Sequence, residues 1–209
     1  MISRYTRRSL LAAGAALLAL PRPLRAQAVA VGRVAVIQGE AWRRTAKGAD
    51  RRLEPGEGVA EGDLLATGVS SRLQVLFVDG TLLTLGPESR FECARYEPAE
   101  GERAALLRLL EGILKVAIGA GAEWQSFEVE SGTAVASVRA TEWVVTETAE
   151  GSAVFVLSGR VAVTGKAVPE TVVVEPAQGT DVPAGGAPTP PKNWGQARVD
   201  RTLALVSLL

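Results

Sequence analysis

Dipeptides that end in glycine recur along this sequence, and each precedes a short apolar segment. Four of them stand at Asp79-Gly80, Glu111-Gly112, Ser131-Gly132 and Ser158-Gly159. Glycine readily adopts the positive φ angles of tight turns, whereas the intervening segments are rich in valine, leucine and threonine, which favour strands. Residues 29–182 are therefore predicted to form an all-β domain.

The clearest predicted hairpin runs from Ser71 to Cys93 and turns at Asp79-Gly80. Residues 105–121 are predicted as strand, turn, strand with the turn at Glu111-Gly112, and a further hairpin is predicted about Ser158-Gly159. The glycine dipeptides are 20 to 32 residues apart, so they do not form a strict solenoid repeat. An irregular β-solenoid and a β-sandwich both stay open.

The first 28 residues have the features of a cleaved export signal. A basic start that includes Arg7 and Arg8 is followed by an apolar stretch over residues 10–20 and by Ala26-Gln27-Ala28. The paired arginines resemble a twin-arginine signal. Eleven apolar positions are too few for a spanning helix, which needs roughly 20. We expect cleavage before Val29 and a soluble periplasmic chain without a transmembrane anchor; an uncleaved anchor is the alternative.

The charge and the residue types limit the functions that are open to the mature chain. Five of the 23 basic residues and none of the 23 acidic ones lie in the first 28 positions, which leaves a net charge of −5. This charge argues against nucleic-acid binding. The sequence has no histidine, which excludes Ser-His-Asp and Cys-His catalysis and the usual zinc sites. No catalytic, cofactor or metal site is predicted, and the lone Cys93 is predicted to be buried and inert.

The composition changes after Val182. Residues 183–192, PAGGAPTPPK, are predicted to be a linker, and residues 193–209 are predicted to be a short C-terminal helical tail with Asn193 as its cap. The apolar end of this tail allows two interpretations. The helix either docks on the domain or serves as a short partner-binding segment.

Four segments, in this order, resemble the FecR domain family. The family is found in periplasmic portions of transmembrane signalling regulators and in short exported proteins. The segments fall between residues 32 and 165 and read GRVAVIQGEAWRR, LEPGEGVAEGDLLATGVSSRLQVLFVDGTLLTLGPESRFE, FEVESGTAVASVRATEW and VFVLSGRVAV. The resemblance implies a β-rich binding or scaffolding domain in the periplasm.

The sequence departs from the family pattern in two places. Ala140 stands where the family has glycine, and Trp143 stands where phenylalanine is usual. The related regulators also carry a cytoplasmic segment and a membrane helix that are not recognised here, so their mechanism is not carried over whole. The family-motif residues, expected to be structural or binding residues, are Asp63, Asp79, Gly80, Thr81, Arg139, Thr141 and Trp143.

Arg139 is the unusual member of this set, because it lies in an apolar segment. Strict alternation would place it on one strand face with Val135 and Trp143. A guanidinium buried there would need several carbonyl acceptors or a carboxylate, for which Asp63, Asp79 and Glu142 are candidates. We therefore predict that Arg139 is a structural clamp between two β layers, with a ligand-binding arginine as the alternative. Asp63 and Asp79 are themselves predicted to bond backbone amides in turns.

These observations predict a non-enzymatic exported module that binds a protein or a cell-envelope component, in cell-envelope signalling. Two alternatives stay open. One is a glycan-active hydrolase or lyase that uses paired carboxylates. The other is a sensor for a small ligand.

Overall fold

The computed structural model describes residues 29–44, 50–99, 103–119, 121 and 123–208. Residues 1–28, which carry the predicted export signal, lie outside this part of the chain. The first seven strands are β1 (Ala30–Gln38), β2 (Ala41–Arg44), β3 (Asp50–Arg52), β4 (Gly58–Ala60), β5 (Leu64–Thr67), β6 (Arg72–Phe77) and β7 (Leu82–Leu85). The remaining elements are β8 (Arg90–Glu97), β9 (Ala104–Ala117), β10 (Ser126–Glu130), β11 (Ala134–Thr148), β12 (Gly151–Gly165), β13 (Thr171–Val174), β14 (Gln178–Pro183), β15 (Lys192–Asn193) and the helix α1 (Gln196–Leu205). The prediction of an all-β fold with a short C-terminal helix is confirmed.

Strand pairing arranges these strands in two layers. Layer 1 has the order β4-β1-β6-β7-β9-β11-β12-β14-β15. Layer 2 has the order β3-β2-β5-β8-β9-β10-β11-β12-β13. All these pairings are antiparallel except the one between β9 and β10. The long strands β9, β11 and β12 belong to both layers, so the architecture is a sandwich whose layers share continuous strands.

Each long strand bends where it passes between the layers. Gly112 in β9 has φ +89° and Gly159 in β12 has φ +75°. In β11 the register with β12 shifts between Arg139 and Trp143. The predicted turn at Glu111-Gly112 and the predicted hairpin about Ser158-Gly159 are therefore wrong, because each dipeptide bends one uninterrupted strand. Positive φ at glycine serves a bulge as readily as a turn.

The hairpin predicted at Asp79-Gly80 is confirmed and connects β6 with β7. Its loop has three residues, since the Phe77 amide donates to the Thr81 carbonyl over 2.9 Å and the Gly80 amide to the Phe77 carbonyl over 3.1 Å. Gly80 has φ +87°. This is the three-residue loop with glycine in the left-handed region, in place of the two-residue turn that the dipeptide suggested.

The core lies between the two layers. Aromatic rings cross it in sequence: Phe77 stacks on Tyr96 with 4.1 Å between ring centroids, and Trp124 and Phe127 continue the row to Trp143, whose ring is 5.7 Å from that of Phe127. Phe77 and Trp143 belong to layer 1, whereas Tyr96 and Phe127 belong to layer 2. The row therefore packs the two layers face to face.

Cys93 lies in this core with none of its surface exposed. Burial, together with the nearby carboxylates of Glu61, Asp63 and Glu92, raises the pKa of its thiol from 9.0 to about 12. The thiolate form is thereby disfavoured near neutral pH. The prediction of a buried cysteine is confirmed, whereas its inertness stays a prediction.

The alternation expected along β11 is interrupted by its bulge. Before the bulge Ala136 and Val138 are buried while Val135 is only partly buried; after it Trp143 and Val145 are buried. Strict alternation predicts that Val135 and Trp143 share one face of the strand. In the structure they do not, because only Trp143 points into the core. An extra residue in one strand reverses the side to which the following residues point.

The C-terminal segment folds back onto layer 1. Thr189 donates its amide to the Asp181 carbonyl over 2.8 Å, and its own carbonyl accepts from the Thr180 hydroxyl over 2.6 Å, so part of the predicted linker contacts β14. Asn193 lies in β15, and Gly195 is the cap of α1, so the prediction of Asn193 as the cap is wrong. No helix in the described part of the chain is long and apolar enough to cross a membrane.

Candidate functional site

The motif Asp79-Gly80-Thr81, which we call the DGT motif, forms hydrogen bonds that connect the two layers. The Asp79 carboxylate accepts from the Thr81 hydroxyl and from the Tyr96 hydroxyl, each over 2.6 Å. Thr81 is fully buried, and its hydroxyl oxygen accepts from the Gly119 amide over 3.2 Å. Burial, and then the hydrogen bond to Asp79, raises the pKa of Tyr96 well above its ordinary value. These contacts make Asp79 and Thr81 positioning residues of the hairpin.

Asp63 has a similar local role in a different turn. Its Oδ2 accepts from the Ala60 amide over 2.8 Å and lies 3.3 Å from a guanidinium nitrogen of Arg43. Both Asp63 and Asp79 thus bond backbone amides in turns, as the sequence predicts; for Asp79 the donor is the Thr81 amide over 3.2 Å. The structure does not bring the two aspartates to one site.

The motif residues on β11 are separated by its bulge. Trp143 is completely buried, and its indole N–H has no acceptor among the described residues. The backbone of Arg139 pairs with Arg160 of β12, but the side chains of Arg139 and Thr141 lie outside the described part of the structure. Of the carboxylates named as partners for Arg139, Glu142 lies 3.2 Å from Lys115. The clamp hypothesis stays a prediction.

A buried polar cluster connects the β10–β11 turn to the β11–β12 hairpin. The Ser152 hydroxyl donates to Glu147 over 2.5 Å and lies 2.6 Å from the Ser131 hydroxyl and 2.5 Å from the Thr133 hydroxyl. Gly132 leaves room for Glu147, since a Cβ there would lie 2.4 Å from a carboxylate oxygen. A serine beside a carboxylate is not activated as a nucleophile without a suitably placed base, and the sequence has no histidine. The cluster therefore has a structural role, because it connects the β10–β11 turn to the β11–β12 hairpin.

The glycosidase alternative depends on the pKa values of the carboxyl groups. Glu130 accepts from Lys166 and Arg108, whose nitrogens lie 2.7 Å and 2.9 Å away. These hydrogen bonds, that of Lys166 first, lower the pKa of Glu130. Every described carboxyl group whose pKa clearly departs from its ordinary value has it lowered. A glycosidase acid requires a raised pKa, so these groups do not favour the hydrolase alternative. The described residues also contain no cluster of three metal-binding side chains.

A candidate interaction site lies between α1 and the outer face of layer 1. We call this space, of about 530 Å³, the α1 cleft; its polar lining includes Thr146, Thr148, Asp181, Arg198, Arg201 and Thr202. Arg198 forms an ion pair with Asp181 and stacks on Trp194, with 3.5 Å between the guanidinium carbon and the ring centre. Arg201 has no ion-pair partner among the described residues. The cleft can therefore receive a polar group beside a free cation.

Two further kinds of contact, besides those of Arg198 with Asp181 and Trp194, hold α1 over this cleft. Arg72 on β6 donates to the carbonyls of Leu205 and Ala204 over 3.0 and 2.8 Å. Leu203 and Val206 pack against Ile113, Val144 and Leu157. The motifs of the sequence did not predict this site; the only signal was the apolar end of the tail. Its partner residues come from five strands, and their proximity is a property of the tertiary structure.

The sequence and the fold of this chain were found to be similar to those of known proteins. The FecR protein family model matches residues 63–162. Two crystal structures of a proposed anti-sigma factor from Parabacteroides distasonis ATCC 8503, at 2.50 and 1.65 Å resolution, superpose with TM-scores of 0.55 and 0.54. Their sequence identities are 22% and 21%, and each alignment covers 67% of this chain.

The aligned part spans 63% and 64% of the two neighbours, which is less than two thirds of their length. At this identity the neighbours show the fold alone. No curated protein sequence matches the chain. The family match covers the DGT hairpin, the long strand β9 and the bulged strand β11, which are the elements that build the two-layered core. Residues 63–162 are therefore the FecR-like part of the chain.

Proposed function

We propose that this chain is a non-enzymatic regulatory module that is exported to the periplasm and binds a protein or cell-envelope partner in envelope signalling. The FecR match over residues 63–162 is the observation that carries this proposal. The proposed anti-sigma role of the structural neighbours favours a protein partner. The paired arginines and the small residues before Val29 favour export by the twin-arginine route.

The α1 cleft is the surface through which we propose that the partner binds. It combines the free guanidinium of Arg201 with exposed apolar surface at Leu205, which is 42% exposed. Interfaces of this type use an arginine next to an apolar anchor. The family-motif residues Asp63, Asp79, Gly80, Thr81 and Trp143 have structural roles in the turns and the core. Arg139 and Thr141 are proposed to have the same structural role.

Site-specific photocrosslinking in the intact periplasm tests the binding proposal. A photoreactive residue at Arg201 should crosslink one reproducible protein or envelope component. The matched control is a photoreactive residue at Val173, which is 54% exposed on β13 of layer 2. Absence of any reproducible adduct from position 201, or identical adducts from both positions, would contradict the proposal.

Transcript analysis tests the regulatory part. Deletion of the gene should change a defined set of envelope-related transcripts, and the wild-type chain should restore them. Unchanged transcripts, together with turnover of envelope polysaccharide by the purified chain, would favour the hydrolase alternative. The cleft volume also keeps the small-ligand alternative testable, because a bound metabolite should raise Tm in a thermal-shift screen.

A further inference from the structure

The helix α1 has few stabilising features of its own. It has ten residues, its cap Gly195 makes no side-chain hydrogen bond, and its first turn contains no acidic residue. Isolated helices shorter than roughly 12–15 residues are marginal in water. The helix therefore depends on its contacts with layer 1, and undocking should also unwind it.

The contacts that dock α1 form a small group separate from the main core. No residue between Gln196 and Leu205 is buried. The apolar contact consists of Leu203 and the following Val206 against a floor of Ile113, Val144 and Leu157. This cluster is distinct from the core between the layers. Loss of these contacts would therefore leave the two-layered core intact.

The C-terminal end of the helix is held by a polar contact at a close approach. Arg72 donates to the carbonyls of Ala204 and Leu205, which carry the partial negative charge of a helix C-terminus. Gly86 makes room for this end, since a Cβ there would lie 2.9 Å from the Leu205 carbonyl oxygen. A single arginine on β6 thus binds the C-terminal end of α1, which is the end farther from Gly195.

The N-terminal end of α1 follows a tightly packed tryptophan and a glycine with open space around it. Trp194 is only 9% exposed and stacks on Phe155, with 5.0 Å between ring centroids. Gly179 lies directly against its indole ring. The next residue, Gly195, is extended, and a Cβ placed on it would meet no atom within 4 Å. Rotation about Gly195 can therefore move α1 while Trp194 stays in place.

We propose that residues 196–208 form a latch that opens from layer 1 as a unit, with Gly195 as the hinge and Trp194 as the fixed anchor. Opening breaks the contacts of Arg198 with Asp181 and Trp194, uncovers Ile113, Val144 and Leu157, and widens the α1 cleft. Exposure of this apolar floor makes the closed latch the major state. The inference does not depend on the identity of a partner, because it concerns the chain alone.

Hydrogen exchange of the full mature chain, followed by mass spectrometry, tests the latch. Amides of residues 196–208 should be protected, yet they should exchange much faster than those of Trp143–Val145 in the core. Arg72→Met should accelerate exchange of residues 196–208 about tenfold and leave the core unchanged. The control is Arg33→Met, because Arg33 is exposed on the neighbouring strand opposite Leu76, four residues along β6 from Arg72.

Three results would overturn the proposal. Exchange of residues 196–208 at the core rate would show that the helix opens only on global unfolding. Exchange at the rate of an unstructured peptide would show that it is not docked. Equal acceleration of both segments by Arg72→Met would show that the arginine stabilises the whole domain. Leu203→Ala, which shortens a partly buried contact, provides a second variant with the same expected pattern if Arg72→Met does not fold.

Discussion

The hydroxyl of Tyr96 donates to the Asp79 carboxylate over 2.6 Å and ties the tip of a layer 1 hairpin to a strand of layer 2. The ring of the same tyrosine stacks on Phe77. One side chain thus contributes both apolar packing and a charge-assisted hydrogen bond between the layers.

Tyr96→Phe should lower the free energy of unfolding by about 1–3 kcal/mol, because the part-buried Asp79 loses a donor while the ring packing is kept. Chemical denaturation of both proteins gives this difference. Thr164→Val is the matched control, since it removes a 2.8 Å hydrogen bond to Thr171 at the surface. The control should change stability by less than about 0.5 kcal/mol. Equal changes in the free energy of unfolding would show that the hydrogen bond to Asp79 contributes no more to stability than one at the surface.

Gly112→Ala should disturb the bend of β9. Gly112 and Gly56 both have φ +89°, but a Cβ at Gly112 would lie 2.6 Å from the Ser89 Cα whereas one at Gly56 would meet nothing within 4 Å. Gly56→Ala should therefore cost only the backbone strain, about 1–2 kcal/mol. Gly112→Ala should cost at least about 2 kcal/mol more, because backbone must also move. Thermal unfolding of the pair measures the difference, and similar Tm values would contradict the steric argument.

Cys93 should make the protein less stable at alkaline pH. The thiol keeps its proton in the folded chain, where its pKa is about 12, but loses it in the unfolded chain from about pH 9. Deprotonation therefore favours the unfolded state, and this contribution is complete below pH 9 and declines toward pH 12. The expected slope is about −1.4 kcal/mol per pH unit for one such group.

Cys93→Ala removes this slope, so its unfolding free energy should fall less steeply over the same pH interval. Denaturation curves at several pH values measure the two slopes. A thiol reagent should also modify native Cys93 only as fast as the chain unfolds. Parallel slopes for the two proteins, or rapid modification at neutral pH, would contradict the burial of the thiol.

Arg7→Lys with Arg8→Lys should keep the precursor inside the cell, because twin-arginine signals are recognised through the arginine pair and not through charge alone. Cell fractionation measures the ratio of precursor to mature chain. Arg22→Lys with Arg25→Lys is the matched control and should leave export intact. Efficient export of the first variant would favour the general secretory route.

Arg139→Met tests the clamp hypothesis. If Arg139 joins the two layers, the substitution should lower the free energy of unfolding by more than the roughly 0.5 kcal/mol that is usual for a surface site. Unchanged stability with loss of the crosslinked partner would assign Arg139 to binding. Denaturation and crosslinking of the same preparation distinguish these outcomes.

Local chemistry made part of this structure predictable. The Asp79-Gly80 hairpin, the turn-bonding aspartates and the buried thiol each depend on neighbouring residues or on a single apolar position. The turn at Glu111-Gly112 and the hairpin at Ser158-Gly159 were not predictable in this way. A glycine with positive φ permits either a reversal of the chain or a bulge in a continuing strand, and the choice depends on which strands lie beside it.

The sequence by itself determined that the chain is β-rich, resembles the FecR family and has no histidine-based site. Only the tertiary structure decided that three strands serve both layers, that a bulge reverses the buried face of β11, and that Arg72 meets the end of α1. The physical reason is sequence separation. Arg72 and Leu205 are 133 residues apart, and no local pattern specifies a contact that six strand pairings between β6 and β15 must assemble.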